Sequence, residues 1–267
     1  MAKRPIPLLS IIIATHNRPR ELNRCLRSIS ESIHCEREVI VIADTRCEGT
    51  RGVVSQYLTL GDTYIERGGD PGPARSRNLG LEIARGDFVL IFDDDDQLPG
   101  DTYREFLEKA FTNYNVVSYG DVAIVKEDRE SGVLLNEPID YPRLTSYEFE
   151  QIYVRNFIFT QAAIFPRTVL TGKRQDVFMR SLEDWEYLLN VCSDYEFRPI
   201  GVVAAIIYKD FVNLGNRRGS TGGARDLNVL LDYVYVYRRW PAPSAELRHL
   251  RESLIMGAGL SISSDLL

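Results

Sequence analysis

The sequence predicts an α/β protein built on one mixed, mostly parallel sheet flanked by helices, and three observations lead there. Over the first two-thirds of the 267 residues, apolar strand-like runs alternate with segments of helical period. Phe88-Val-Leu-Ile-Phe92 is apolar throughout, as a buried strand would be, and ends abruptly on the four aspartates Asp93 to Asp96. At 44% hydrophobic, the chain can bury one large core with room for a small appendage.

The elements follow in order. Leu8 to Ala14 is an Ile-rich strand. Pro19 then opens a helix whose apolar residues Leu22, Leu26, Ile29 and Ile33 recur at spacings of four, three and four. Glu38 to Ala43 is a second strand, closed by Asp44, and a helix from about Gly52 to Leu58 leads to the short strand Thr63 to Ile65. Gly68-Gly-Asp-Pro-Gly-Pro73 excludes regular structure. Ala74 to Ala84 reads as helix with Leu79 and Ile83 on one face, followed by the strand Phe88 to Phe92. Thr102 to Asn113 is helical and Val116 to Lys126 is strand-like.

Beyond about residue 130 the alternation weakens. Phe157 to Phe165 is open to strand or irregular core, Leu182 to Cys192 reads as helix, and Val202 to Tyr208 as strand. Gly215 to Gly223 holds four glycines in nine residues and is expected to be flexible. Two helices close the chain, about Asp226 to Trp240 and Ser244 to Met256, the second capped by Ser244. There is no internal repeat.

With 38 acidic against 32 basic side chains the net charge is −6, which argues against a nucleic-acid partner. The four cysteines form no Cys-x-x-Cys pair or zinc-like spacing, which suits reduced thiols and a cytoplasmic location. No run approaches the ~20 apolar residues of a membrane span, and the amino-terminal stretch runs into a strand rather than a cleavage site. A soluble chain without a transmembrane segment is the expectation.

Four carboxylates at one strand end repel one another unless a cation sits among them. A solvated acidic loop is the plain alternative. The apolar run before the cluster and Leu98-Pro99-Gly100 after it fix the acids to the carboxyl edge of a sheet, where open α/β folds bind ligands. A hard divalent ion beside a phosphorylated ligand is therefore expected.

Five landmarks in sequence resemble glycosyltransferase family 2, whose members have the GT-A fold. They are Ser10-Ile-Ile-Ile-Ala-Thr-His-Asn-Arg18, Glu38-Val-Ile-Val-Ile-Ala-Asp44, Gly72-Pro-Ala-Arg-Ser-Arg-Asn-Leu-Gly80, Gly86 through Asp96 with its Asp-x-Asp motif, and Glu183-Asp-Trp-Glu186. They span about residues 8 to 210. The resemblance implies a GT-A catalytic domain over 1–210, with a nucleotide-sugar half to about 97 and an acceptor half from about 98. A glycine-rich loop (211–224) and a helical extension (225–267) would follow.

It further implies an inverting transfer from a nucleoside-diphosphate sugar, most simply a UDP-sugar. A divalent ion lowers the barrier by stabilising charge on the departing diphosphate. By position, Asp95 is the main metal ligand with Asp93, while Asp93 and Asp94 face the ribose or the metal through water and Asp96 caps the following turn. Mn²⁺ and Mg²⁺ both suit such oxygen donors. Ala14, Thr15, His16 and Arg18 form the nucleotide-facing turn, with His16 stacked on the base and Asp44 accepting from the uracil imide. The family often has two acids at that position, whereas Ala43 precedes Asp44 here. Arg75, Arg77 and Asn78 belong to the segment that closes over the nucleotide, and of these Arg75 and Asn78 are carried over as nucleotide contacts.

Asp184 aligns with the general base, Glu183 being second choice; acids in a helix's first turn also suit its dipole, the structural alternative. The histidine or arginine that members often carry after the last strand is missing from Tyr208-Lys-Asp-Phe211. Lys209, or Arg217 and Arg218 in a glycine-rich lid, would replace it over the diphosphate.

Acceptors open to such an enzyme are a glycan, a lipid-linked sugar or a small molecule. The aromatic stripe Leu230 to Trp240 packs on its own domain, joins a homodimer, or touches a membrane peripherally. A sugar-phosphate nucleotidyltransferase would carry a glycine-rich basic turn where Thr15 to Pro19 has no glycine; a dehydrogenase lacks its Gly-x-Gly-x-x-Gly for the same reason. A catalytically silent sugar-nucleotide binder or assembly subunit would keep Asp44 and Asp95 but has no use for Asp184.

Overall fold

A computed structural model describes residues 7–135, 139–212, 227–259 and 262. Its elements are β1 (Leu9–Thr15), α1 (Pro19–Ser32), β2 (Arg37–Ala43), α2 (Glu48–Tyr57), β3 (Thr63–Glu66), α3 (Pro73–Ile83), β4 (Phe88–Asp93), α4 (Thr102–Ala110), β5 (Val116–Asp128), β6 (Val133–Leu134), β7 (Ala163–Pro166), α5 (Glu183–Cys192), β8 (Glu196–Asp210), α6 (Leu227–Arg239) and α7 (Ala245–Gly257). The strands form one sheet in the order β3-β2-β1-β4-β7-β5-β6, with β8 paired to β5. Pairs among β3, β2, β1 and β4 are parallel, as is β5 with β8, while β7 runs antiparallel to both β4 and β5. This is the mixed, mostly parallel sheet of the expected α/β class.

β1 is central because it is buried on both faces, like β2 and β4 beside it. Within β1 the buried Ser10 hydroxyl is satisfied by a 2.6 Å bond to the buried Glu38 carboxylate and by the Gly86 amide. Pro19 starts α1, which buries Leu22, Cys25, Leu26 and Ile29. α3 lies so close to β1 that a Cβ on Gly80 would overlap the Ile12 side chain. That close approach brings Arg77, one turn earlier, toward the sheet edge.

Several boundaries differ from the sequence reading, each for a local reason. β8 begins at Glu196, well before Val202, because it pairs with β5 from Val116 onward; its largely exposed first half, with Pro199 and Gly201, lacks the apolar pattern that marks a strand. Its register with β5 shifts at Gly120 and Asp121, where a side chain on Gly120 would strike the Val202 carbonyl. α2 starts at Glu48 rather than Gly52. Within Phe157 to Phe165 only the last residues are strand, following a 3-10 turn at Thr160–Ala162. Leu182 lies outside α5, in a left-handed conformation.

The C-terminal helices share the main core through Leu230, Val236, Tyr237 and Ile255. Tyr233 and Tyr237 pack on Trp185 with ring centroids 5.1 and 5.8 Å away, whereas Leu231 and Tyr235 of the same helix stay exposed. The buried Glu186 carboxylate accepts from Trp240 at 3.2 Å and pairs with Arg239 at 3.0 Å, tying α6 to α5. Ser244 caps α7 by accepting from the Leu247 amide. The glycine-rich stretch with Arg217 and Arg218, and the lid expected of it, falls outside the described residues. Among the described residues no helix is long and apolar enough to cross a membrane, and all four cysteines are free.

Candidate active site

The carboxyl ends of β1, β2 and β4 lie side by side, with Ala14 in register with Asp93 and Thr15 with Ala43. The turns leaving these strands therefore open onto one edge. Asn17 takes a left-handed φ of 51° there, a conformation Asn tolerates better than most residues. This turn sets His16 Nδ1 2.5 Å from Asp44 Oδ1. Asp44 Oδ2 accepts the Gly72 amide at 2.7 Å, tying the glycine-proline loop to the end of β2.

The four aspartates part company. Oxygens of Asp93, Asp95 and Asp96 lie within 4.8 Å of one another. Asp93 receives Arg77 at 2.6 Å and the Gln161 amide. Asp94 faces Arg18 at 3.3 Å. Asp95 Oδ2 takes both Arg129 at 2.9 Å and Arg18 at 3.1 Å. Asp96, nearly inaccessible, accepts the Tyr208 amide at 2.9 Å and so pins β8 to this turn.

Burial, reinforced by the charge of Asp95 and opposed by Arg18, pushes Asp94 up to about 7. Burial and neighbouring carboxylates raise Asp95 and Asp96 as well. Such mutual repulsion is what a cation relieves. The residues fit a hard divalent ion: three carboxylate oxygens converge, and Asp94 Oδ2 is buried without a hydrogen-bond partner.

On the other side, α5 begins immediately after Leu182, whose φ of 62° is unusual for a branched residue. Strain of this kind gathers at functional sites. The Trp185 indole donates to the Ile152 carbonyl at 2.8 Å and fixes the first turn. Asp184 accepts from Asn156 at 3.1 Å. Burial and the adjacent Glu183 push Asp184 up to about 6, against the pull of Arg77. Arg77 reaches Glu183 at 3.3 Å as well as Asp93, so one buried guanidinium joins the α5 acids to the aspartate cluster.

Of the residues singled out by sequence, Ala14, Thr15, His16, Arg18, Asp44, Asp93, Asp94, Asp95, Glu183 and Asp184 line this connected edge. Arg75 instead pairs at the surface with Asp70 at 3.6 Å. Asn78 spends both ends of its amide on the Gln175 backbone, at 2.8 Å each. Arg129 and Gln161 were missed, and Arg77 was placed in the closing segment without a role of its own. Arg77 had a signal: it shares a helix face with Ala74 and Gly80, the small residues turned to the sheet. Arg129 and Gln161 lie in a turn and a 3-10 segment, where no periodicity marks them.

Residues 10–171 match the model of glycosyl transferase family 2, a match that ends before α5. An uncharacterized glycosyltransferase of Haemophilus influenzae is 28% identical over 206 residues, 76% of this chain and 68% of the relative. A GalNAc(5)-diNAcBac-PP-undecaprenol beta-1,3-glucosyltransferase of Campylobacter jejuni is 26% identical over 215 residues, 79% of this chain and 68% of the relative. Among solved structures, S. aureus TarS 1-349 in complex with UDP-GlcNAc superposes with a TM-score of 0.67 at 18% identity, covering 96% of this chain and 74% of that one. The mannosyltransferase PcManGT of Pyrobaculum calidifontis, in complex with GDP-Man and Mn²⁺, gives 0.62 at 17% identity, covering 97% and 78%. These likenesses establish the GT-A fold.

Proposed function

This chain belongs to glycosyltransferase family 2, and on that premise we propose that it moves a sugar from a UDP-sugar to an acceptor hydroxyl, with inversion at the anomeric carbon. One observation carries the reading. The acid Asp44, the oxygen cluster of Asp93, Asp95 and Asp96, and the first turn of α5 with Asp184 lie at one edge, where Arg77 ties Asp93 to Glu183, the neighbour of Asp184.

Asp44 accepts from the base, His16 stacks on it, and Ala14, Thr15 and Arg18 line the nucleotide. Asp93 and Asp94 serve the ribose. Mn²⁺ or Mg²⁺ would be held by Asp95 with Asp93 and, when bound, offsets the charge gathering on the departing diphosphate. Asp184 takes the acceptor proton as the new bond to the anomeric carbon forms and the bond to the diphosphate oxygen breaks. With a pKa raised to about 6, it is ionised at neutral pH yet more basic than an ordinary carboxylate. Glu183, committed to Arg77, holds that side of the site in place.

The UDP-GlcNAc bound by the Staphylococcus protein supports the uridine choice, and GDP is the runner-up through the Pyrobaculum one. The Campylobacter relative's name supports a polyprenyl-diphosphate-linked acceptor. The exposed Leu231 and Tyr235 of α6 offer a surface for peripheral contact or a second subunit. A catalytically silent binder would have no use for a carboxylate at Asp184, and Asp184→Asn separates the two readings.

The test is calorimetric titration with UDP, GDP and TDP, with and without Mn²⁺, followed by transfer assays. Metal-dependent UDP binding and turnover lost in Asp184→Asn are expected. Binding of no nucleoside diphosphate in the presence of metal would overturn the proposal.

A further inference from the structure

Asp95, the acid assigned to the cation above, already has two guanidinium groups on one oxygen. Arg129 reaches Oδ2 at 2.9 Å and Arg18 at 3.1 Å. They come from different segments of the chain. Arg18 sits where β1 turns into α1, and Arg129 in the turn after β5.

Other basic groups around Asp95 are differently committed. Arg24 donates to the Asp95 backbone carbonyl at 2.6 Å and to Glu127 at 2.8 Å, and it stacks on Tyr208. Arg77 is held between Asp93 and Glu183. Arg129 is more loosely anchored. Besides Asp95 it has the Tyr208 carbonyl at 3.2 Å and Glu127 at 3.6 Å, and its Nε is buried without a hydrogen-bond partner.

A divalent ion taken up by the Asp95 carboxylate competes for its charge with the two guanidinium groups already on Oδ2. The dication and the displaced guanidinium would stand a few ångströms apart, where like charges repel strongly. A displaced arginine in a partly buried site needs a new anion. A diphosphate provides one, and the planar fork of arginine matches phosphate oxygens two at a time.

We propose that Arg129, assisted by Arg18, is the resident counter-cation of Asp95: it yields that carboxylate to the divalent ion and then grips the β-phosphate of the nucleoside diphosphate. This rests on the nucleotide-sugar reading and deepens it. It gives the diphosphate cation, sought by sequence at Lys209, Arg217 and Arg218, to the turn between β5 and β6.

The exchange has a thermodynamic signature. Metal alone competes with Arg129 and binds weakly. Diphosphate draws Arg129 away and so strengthens metal binding, and by linkage metal strengthens diphosphate binding equally. Removing Arg129 should move the two affinities in opposite directions, which loss of a purely structural side chain would not do.

The test uses the full chain. Mn²⁺ is titrated alone by electron paramagnetic resonance, then UDP and UMP at saturating Mn²⁺ by calorimetry, for wild type, Arg129→Gln, Arg129→Lys and Arg18→Gln. Arg129→Gln is expected to bind Mn²⁺ alone ~10-fold tighter and UDP ~10-fold weaker, with UMP unchanged. Arg129→Lys, which keeps the charge but loses the fork, should fall between. Mn²⁺ binding that is unchanged or weaker in Arg129→Gln, or parallel losses for UDP and UMP, would overturn the exchange. If circular dichroism finds Arg129→Gln misfolded, Arg129→Lys and Arg18→Gln carry the same comparison. A wild-type chain that binds neither UDP nor Mn²⁺ defeats the nucleotide-sugar reading itself, a result distinct from variants that merely move in parallel.

Discussion

The Arg77 guanidinium donates to the Asp93 carboxylate at 2.6 Å from a position with only 8% side-chain exposure. The same guanidinium contacts Glu183 more than a hundred residues further along the chain. Burying such a charge is tolerable because it has partners, and removing it strands theirs. Arg77→Met should therefore lose about 3–5 kcal/mol in urea unfolding. Arg77→Lys, which cannot fork to both acids, should recover part of it. Stability unchanged in Arg77→Met would mean the bridge is incidental.

Asp184→Asn keeps the shape of the side chain and its contact with Asn156 while removing the basic oxygen. Turnover is expected to fall by roughly 10²–10⁴-fold, with Mn²⁺-dependent UDP affinity preserved. In the wild type, kcat should rise with pH through about 6, because the carboxylate burial has raised must be ionised to accept a proton. The residual activity of Asp184→Asn should lack that limb.

Without metal, stability should fall as pH rises from 5 to 7. Burial and Asp95 lift Asp94 to about 7 in the folded chain, from an ordinary 3.8. The folded state then holds a proton that the unfolded state has released, and that advantage is lost as pH climbs through the folded value. Asp184 acts in the same direction up to about 6. Carboxylates with lowered values, such as Glu38, are already ionised in both states across this window. Melting temperatures in EDTA should follow this slope, and Asp94→Asn should flatten it. A rising melting temperature would contradict the prediction.

Gly80→Ala tests how closely α3 approaches the sheet. The added methyl would have to displace Ile12 in the core, so a loss of about 1–3 kcal/mol is expected rather than the usual gain from replacing a helical glycine. Unchanged or increased stability in thermal unfolding would show that the helix can shift freely.

The first half of the fold was legible because its signals are local. The apolar runs of β1, β2 and β4 and the four-three-four spacing in α1 each need only a short window of sequence. The acidic run announced its place because a buried strand directly precedes it. The acceptor half was less legible because its chain is irregular: between β6 and β7, short 3-10 turns at Leu144–Ser146, Phe149–Tyr153 and Thr160–Ala162 carry no long period. Site partners failed to appear for a related reason. Arg77 to Glu183 and Arg129 to Asp95 are contacts between distant segments, visible only once the chain has folded and β7 joins β5 to β4.

The union of α6 with α5 bears on how the protein is made. The helix presenting Asp184 rests on Tyr233, Tyr237 and Trp240, and the Glu186 charge on that helix is answered by Arg239. On the ribosome, where amino-terminal segments emerge first, the strands β1 to β4 can pair while α5 still lacks its cover. The α5 face is thus covered only after α6 has emerged, and a nascent chain halted before residue 227 would leave Trp185 and the Glu186 charge without their partners.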